Sequence, residues 1–143
     1  GSRPMPAPDF HASSSRGKAL SLADFQGKVP VVLVFVGPLH PEGLDLIELD
    51  RRQVEFGHER VQLLVVAHAD GVDVRAVPFS GLSLPVLADP HDELVATFGG
   101  AEEAGAFAVI LDKQGALVER AALTGGAEAL IAKVKQLGPR IHQ

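Results

Sequence analysis

Histidine and carboxylate side chains are the groups in this sequence with the clearest chemical potential. They lie near the ends of apolar runs, as His40, Glu42, His68, Asp70 and His91. Two histidines with one carboxylate form a known ligand set for a transition metal. His40 and His68 with either Glu42 or Asp70 would supply that set, and His91 could join it. No pair has the close spacing of an established metal motif, so the sequence favours solvated loop histidines on an acidic protein.

His40 and Gly43 suggest two further kinds of site. Imidazole titrates near neutrality, so His40 could act as a general acid or base, and a helix beginning near Glu42 would favour its neutral form. Free N–H groups beside Gly43 could bind a phosphate or carboxylate, although Glu42 would repel one. The competing interpretation is that His40 packs in a turn stiffened by Pro38 and Pro41. The sequence favours it, because no partner for His40 can be assigned.

The sequence contains no cysteine. This excludes disulfides, thiolate metal sites and any mechanism that uses the protein's own thiol. We expect no cofactor.

Charge and composition restrict the class of partner. Lys and Arg number 13 against 18 Asp and Glu, for a net charge of −5. We therefore expect neither nucleic acid nor a membrane as a partner. The 143 residues predict one domain over 1–143, with 1–5 as a flexible arm or cloning remnant. No charged segment followed by an apolar one opens the chain, so we expect a cytoplasmic location.

Apolar runs predict the strands that would position these side chains. Residues 29–36 form a continuous run rich in β-branched residues, which predicts a strand buried on both faces of a sheet, and residues 61–67 predict a second buried strand. Residues 84–87 have an extended pattern. Residues 107–111 predict a third strand, and 116–122 predict a fourth that returns antiparallel.

Helical spacing and turn residues predict the rest. Helices are expected over 42–56, 91–98 and 126–137, with a short one inside 70–77. Before them, two short extended pieces flank a turn at 13–18, and one helical turn begins at Ser21. This order predicts an α/β sheet with helices on both faces. The predicted core is Val31, Leu33, Phe35, Ile47, Val54, Leu63, Val65, Val109, Leu111 and Ile131.

Six segments, in order along nearly the whole chain, carry a family resemblance. They are residues 7–10, 20–28, 31–35, 84–90, 95–99 and 109–115. Together they resemble the peroxiredoxins of the alkyl hydroperoxide reductase/thiol-specific antioxidant (redoxin) family and their thioredoxin-like relatives. The resemblance implies a thioredoxin-like α/β fold, with a central mixed sheet, helices on both faces and an N-terminal β extension.

The family's catalytic residues are missing from the matching positions. Aligned on the strand that ends at Phe35, the peroxidatic cysteine falls on Gly43, or on Leu44 if the alignment shifts by one residue. The family's threonine falls on His40 and its arginine on Ala106. A thiolate needs a cysteine, and none is present at this position. Gly43 can therefore also be interpreted as a residue that has replaced the family's cysteine and has no binding role of its own. The family fold does not by itself imply the family activity.

The resemblance still implies a cleft at the old site. In that architecture the ends of the first two strands lie side by side, near the following helix. The residues that would line the cleft are His40, Pro41, Glu42, Gly43, His68 and Asp70.

We therefore expect a cysteine-less peroxiredoxin-like protein that is not a thiol peroxidase and acts as a binding or assembly module. Its partner would be an unidentified protein or small molecule, and the family resemblance implies a homodimer. The alternative is an oxidoreductase with a non-thiol site in the old cleft, where His40 and His68 are the weak candidate metal ligands.

Overall fold

The computed structural model describes residues 10–36, 46–76, 79–98, 106–123 and 125–143. Strands and helices alternate along most of this chain. The strands are β1 (His11–Ser13), β2 (Ala19–Ser21), β3 (Val31–Val36), β4 (Gln62–Ala67), β5 (Val86–Ala88), β6 (Phe107–Leu111) and β7 (Leu117–Ala122). The α-helices are α1 (Leu46–Arg51), α2 (Gln53–His58), α3 (Glu93–Thr97) and α4 (Gly126–Ile141). Single 3₁₀ turns cover Leu22–Asp24, Asp73–Arg75 and Phe79–Gly81.

Five strands form one mixed sheet in the order β5-β4-β3-β6-β7. β3, β4 and β5 run parallel, while β6 and β7 are antiparallel to their neighbours. At the centre of the sheet, Leu33 pairs with Leu64 on one side and with Val109 on the other. The predicted mixed α/β sheet is confirmed, and the 84–87 segment contributes a short strand to it.

The alternating side chains of β3 belong to two separate cores. Val32 and Val34 pack in a cluster with residues of α1, α2 and α4. Val31, Leu33 and Phe35 pack in a second cluster with α3 and with the N-terminal hairpin that β1 and β2 form. This explains why the β3 run is apolar throughout, because both faces of the strand are covered.

The predicted helix over 42–56 is wrong as a continuous element. Its expected start lies outside the described residues, and Arg52 interrupts it with φ −92° and ψ 8°. α1 therefore ends at Arg51, and α2 continues through Gly57 to His58.

Ile47 and Val54 were wrongly placed in the core. They are 66% and 59% exposed, whereas Leu49 and Phe56 are buried. Each wrong residue lies two positions before a buried one. Two residues correspond to about 200° around a helix, so Ile47 and Val54 lie on the solvent side. The other predicted core residues are buried, as expected.

Two helices differ in length from their predictions. α3 begins at Glu93, because Asp92 adopts a left-handed conformation with φ +55°. α4 extends beyond the predicted end at residue 137 to Ile141, with Pro139 inside it. The extra turn buries Ile141 completely. Just after it, His142 Nε2–H donates to the carbonyl oxygen of Glu59 at 2.8 Å.

The hairpin formed by β1 and β2 covers the outer side of β5. The N–H of Ser15 donates to the carbonyl oxygen of Val86 at 2.8 Å, and the N–H of Val86 donates to Ser15 Oγ at 2.9 Å. Ser14 forms an antiparallel bridge with Leu87. The predicted N-terminal β extension is therefore present, and it completes one edge of the sheet. None of the helices in the described ranges has the length and apolar character needed to cross a bilayer.

Candidate functional site

The carboxyl ends of the three parallel strands meet at one edge of the sheet, which we call the carboxyl edge. Val36, Ala67 and Ala88 are the last residues of β3, β4 and β5. Ligands of open α/β sheets bind outside this end of the strands, where the connecting loops converge. The described segments that follow here are 68–72, after β4, and 89–92, after β5.

A histidine and a carboxylate form a pair at the carboxyl edge. His68 Nδ1 lies 2.9 Å from Asp92 Oδ1. A carboxylate accepts only, so Nδ1 carries the proton of this bond. The bond orients the imidazole and leaves Nε2 as the acceptor of the neutral ring. With side chains 40% and 52% exposed, the pair is accessible to a ligand.

Asp70, the carboxylate that the sequence placed beside His68, belongs to its own turn. Its Oδ1 accepts the N–H of Val72 at 3.0 Å and the N–H of Asp73 at 2.8 Å. Aspartate commonly caps its own backbone in this way. The partner that the structure gives His68 is therefore Asp92, which sequence reasoning missed.

The turn after β5 holds Asp92 in place. Asp89 is buried, and its two carboxylate oxygens accept the N–H groups of Leu94 at 3.1 Å and Val95 at 3.2 Å. Asp89 therefore satisfies backbone donors at the start of α3. Asp92 adopts a conformation that is uncommon for a residue with a side chain. The useful sequence signal was the Asp-Pro-His-Asp segment after an extended run, next to the strand that ends at Ala67.

Four of the six predicted cleft residues, His40, Pro41, Glu42 and Gly43, lie outside the described residues. The structure thus describes the predicted cleft only at His68 and Asp70. Within the described ranges, no group of three or more His, Cys, Asp or Glu side chains is arranged to hold a metal ion. The metal hypothesis, which needs His40, stays a prediction.

Ala106 occupies the position that the resemblance assigned to an arginine. It directly precedes β6, whose first residue, Phe107, pairs with Phe35 near the end of β3. Its half-buried methyl group packs against the core on the α4 side. A methyl group here cannot supply the positive charge that would stabilise a thiolate.

A separate cavity of about 470 Å³ lies between the hairpin and α3. His11, Ser13, His91 and Thr97 line it together with Phe10, Leu94 and other residues. Neither His68 nor Asp92 lines this cavity. His91 therefore faces a different space from the pair at the carboxyl edge.

A charge network that includes neither His68 nor Asp92 connects the start of α2 to α4. Arg52 contacts Glu55 at 2.7 Å and Glu128 at 2.5 Å. Its hydrogen bond to Glu55 lowers the pKa of that carboxyl, and the bonds to both acids raise the pKa of Arg52. The network's contacts join two helices, so its role is to stabilise their packing.

Solved structures share this fold closely. Plasmodium yoelii thioredoxin peroxidase I superposes with a TM-score of 0.76 at 20% identity, over 96% of this chain and 91% of that one. Enterococcus faecalis AhpC gives a TM-score of 0.76 at 15% identity, over 98% of this chain and 96% of that one. A putative protein disulfide isomerase from Bacteroides thetaiotaomicron gives a TM-score of 0.69 at 22% identity, over 96% of this chain and 89% of that one. The fold is therefore thioredoxin-like and of the peroxiredoxin type.

The sequence comparison reaches the same family. No curated protein matches the chain. The profile of the AhpC/TSA family, however, matches residues 5–120, which cover β1 to β6 and most of β7. The chain belongs to the AhpC/TSA family, and it contains no cysteine.

Proposed function

We propose that this protein is a peroxiredoxin-fold binding or assembly module without thiol peroxidase activity. The observation that carries the proposal is the absence of any cysteine from a chain that belongs to the AhpC/TSA family and forms a five-stranded sheet. Thiol peroxidases attack peroxide with a thiolate, and no other side chain supplies that nucleophile. Ala106 at the expected arginine position supports the same conclusion.

The binding surface in this proposal is the carboxyl edge. His68 presents a fixed imidazole there, because Asp92 holds its Nδ1–H. A fixed Nε2 can accept a hydrogen bond from a protein partner or a small molecule without first losing side-chain freedom. We propose His40, Pro41, Glu42 and Gly43 as further residues of this surface, on the family resemblance.

The assembly surface in this proposal is the outer side of β7. β7 ends the sheet, and in the described part of the chain no strand pairs with its outer side. Leu123 N–H donates to the carbonyl oxygen of Ala106, which makes them a hydrogen-bonded pair. The neighbouring Ala122, opposite Phe107, therefore directs its N–H away from β6. Such an edge can pair with a second copy, as the family resemblance implies.

The alternative function is a non-thiol oxidoreductase at the carboxyl edge. The observation that favours it is the His68–Asp92 pair, because a carboxylate-oriented imidazole is the arrangement of a general base or a metal ligand.

Peroxide consumption separates these two functions. The purified chain is assayed with hydrogen peroxide, dithiothreitol and added divalent metals, against a blank with reductant and metal alone. The binding-module proposal predicts no loss above the blank. Peroxide loss that disappears in His68→Ala, but not in the exposed control His58→Ala, would replace it with the enzymatic alternative.

Light scattering after size exclusion tests the assembly surface. We expect a homodimer whose dissociation constant rises in Ala122→Pro, because proline removes the outward N–H and is tolerated on an edge strand. Ala122→Ser keeps that N–H and is the matched control. A monomer at every concentration would contradict the dimer, and a dimer indifferent to Ala122→Pro would place its interface elsewhere.

A further inference from the structure

A small cavity of about 130 Å³ lies between the N-terminal hairpin and the loop after β4. The hairpin contributes Ser13 and Lys18 to its walls, and the loop contributes Gly71 and Arg75. A water molecule occupies about 30 Å³ of liquid, so the space equals a few waters. It is large enough for a compact polyatomic ion.

Two cations converge on this cavity without carboxylate partners. Within the described residues, neither Lys18 nor Arg75 forms an ion pair, in contrast to Arg51 and Arg52. The Nε–H of Arg75 donates to the carbonyl oxygen of Gly71 at 3.1 Å. This bond fixes the guanidinium at the rim and leaves its terminal N–H groups for a ligand.

The backbone that carries Lys18 is also held in place. The buried Ser14 hydroxyl donates to the carbonyl oxygen of Lys18 at 2.6 Å, and Gly17 N–H donates to the carbonyl oxygen of Ser14 at 3.1 Å. Gly17 has φ +82°, which closes the turn in a conformation that favours glycine. The turn therefore fixes the backbone from which the exposed Lys18 side chain extends.

Asp70 and Asp73, the nearby acids, form no ion pair with these cations in the described part of the chain. Asp70 directs one carboxylate oxygen to the N–H groups of Val72 and Asp73. Asp73 lies on the 3₁₀ turn with Arg75, and neither Asp70 nor Asp73 lines the cavity. The lining therefore holds two cations and no carboxylate, on a chain with a net charge of −5.

The remaining wall offers a hydroxyl at close range. Within the described chain, Ser13 Oγ has no hydrogen-bond partner. A Cβ atom at Gly71 would lie 3.2 Å from Ser13 Cβ, so the absence of a side chain at Gly71 keeps the hairpin and loop this close. Ser13 therefore places a free donor beside the two cations.

We propose that this cavity binds the phosphate group of a small phosphate ester. An ammonium, a guanidinium and a hydroxyl are the donors that bind phosphate, and two cations match its double charge better than the single charge of a carboxylate. The site does not include His68 or Asp92 and does not depend on the function proposed above.

Inorganic phosphate is the first probe, titrated into the isotopically labelled 143-residue chain at neutral pH and constant ionic strength. We expect saturable shifts of the Gly17, Lys18 and Gly71 amide NMR signals. Lys18→Gln and Arg75→Gln should each weaken binding about tenfold or more, as for loss of a charge-assisted hydrogen bond. Lys113→Gln and Arg140→Gln change the charge equally elsewhere and should leave the affinity unchanged.

The same spectra report the fold of each variant, because signals remote from the hairpin should keep their positions. Shifts that grow linearly without saturation, that chloride reproduces, or that persist in a Lys18→Gln/Arg75→Gln double variant would overturn the proposal. Tighter binding of acetate than of phosphate would also overturn it.

Discussion

The two edges of the central sheet are finished in opposite ways. β5 has three residues, all buried, and the hairpin bonds to its outer side through Ser15 and Val86. β7 has six residues that are exposed or half-buried, and it is paired only with β6 among the described strands. Its other described links are side-chain contacts, such as Glu119 with Lys133 on α4 at 2.9 Å.

Within the described residues, the N-terminal segment covers one edge of the sheet, whereas no strand covers the other. An edge closed by backbone hydrogen bonds and apolar burial is part of the folding unit. An edge with unpaired backbone groups is a site for association with another chain. We therefore expect substitutions near β5 to change the free energy of unfolding, and those on β7 to act mainly on assembly.

The largest expected effect contrasts two leucines on these edges. Leu87 in β5 is fully buried, whereas Leu117 in β7 is 43% exposed. Leu87→Ala should lower the free energy of unfolding by about 2–5 kcal/mol, because it leaves a cavity in the second core. Leu117→Ala should change it by about 0.5 kcal/mol or less. Urea unfolding measures both, and equal losses would contradict the contrast between the edges.

A smaller effect tests the hairpin itself. Ser15→Ala removes the Oγ that accepts the N–H of the buried Val86. The unsatisfied N–H should cost about 1–3 kcal/mol of unfolding free energy. Ser13→Ala, two residues away and exposed, is the control and should be nearly neutral in phosphate-free buffer. If Ser15→Ala lowered the free energy of unfolding no more than Ser13→Ala does, the hairpin would cover β5 without stabilising it.

The smallest effect lies on β7. Lys133→Gln breaks the ion pair with the partly exposed Glu119. We expect a loss of about 0.2–1 kcal/mol at low salt that diminishes as salt screens the charges. Thermal unfolding at low and high salt measures this, with Lys113→Gln as a control for the change in net charge. If Lys133→Gln lowered the free energy of unfolding as much as Ser15→Ala does, the β7 edge would contribute as much to stability as the β5 edge, contrary to our expectation.

The sheet could be predicted from the sequence because its signal is local. A strand covered on both faces must be apolar at nearly every position. β3 and β6 carry that pattern throughout, and β4 carries it after its first residue, Gln62. The face of a helix is less certain, as Ile47 and Val54 show. Two apolar residues that are two positions apart both fit a loose helical pattern, but their side chains point to nearly opposite sides of the helix.

The candidate site could be predicted only in part because its contacts are not local. His68 was singled out from its place after a strand, but its partner Asp92 is 24 residues away. Pairing them requires knowing that β5 lies beside β4 and that α3 begins after Asp92, and neither is contained in a periodic pattern. Asp70 was the closer carboxylate in sequence, but backbone donors of its own turn occupy it.

The covering of β5 by the hairpin also has a kinetic consequence. The bond from Val86 N–H to Ser15 Oγ joins residues 71 positions apart, so it forms only after a long loop has closed. Until then, β5 presents an apolar, unpaired edge to other unfolding or newly made chains. Aggregation during refolding should therefore respond to the hairpin more strongly than the native protein's solubility does, and deleting residues 1–18 should lower the yield of refolded protein at high concentration.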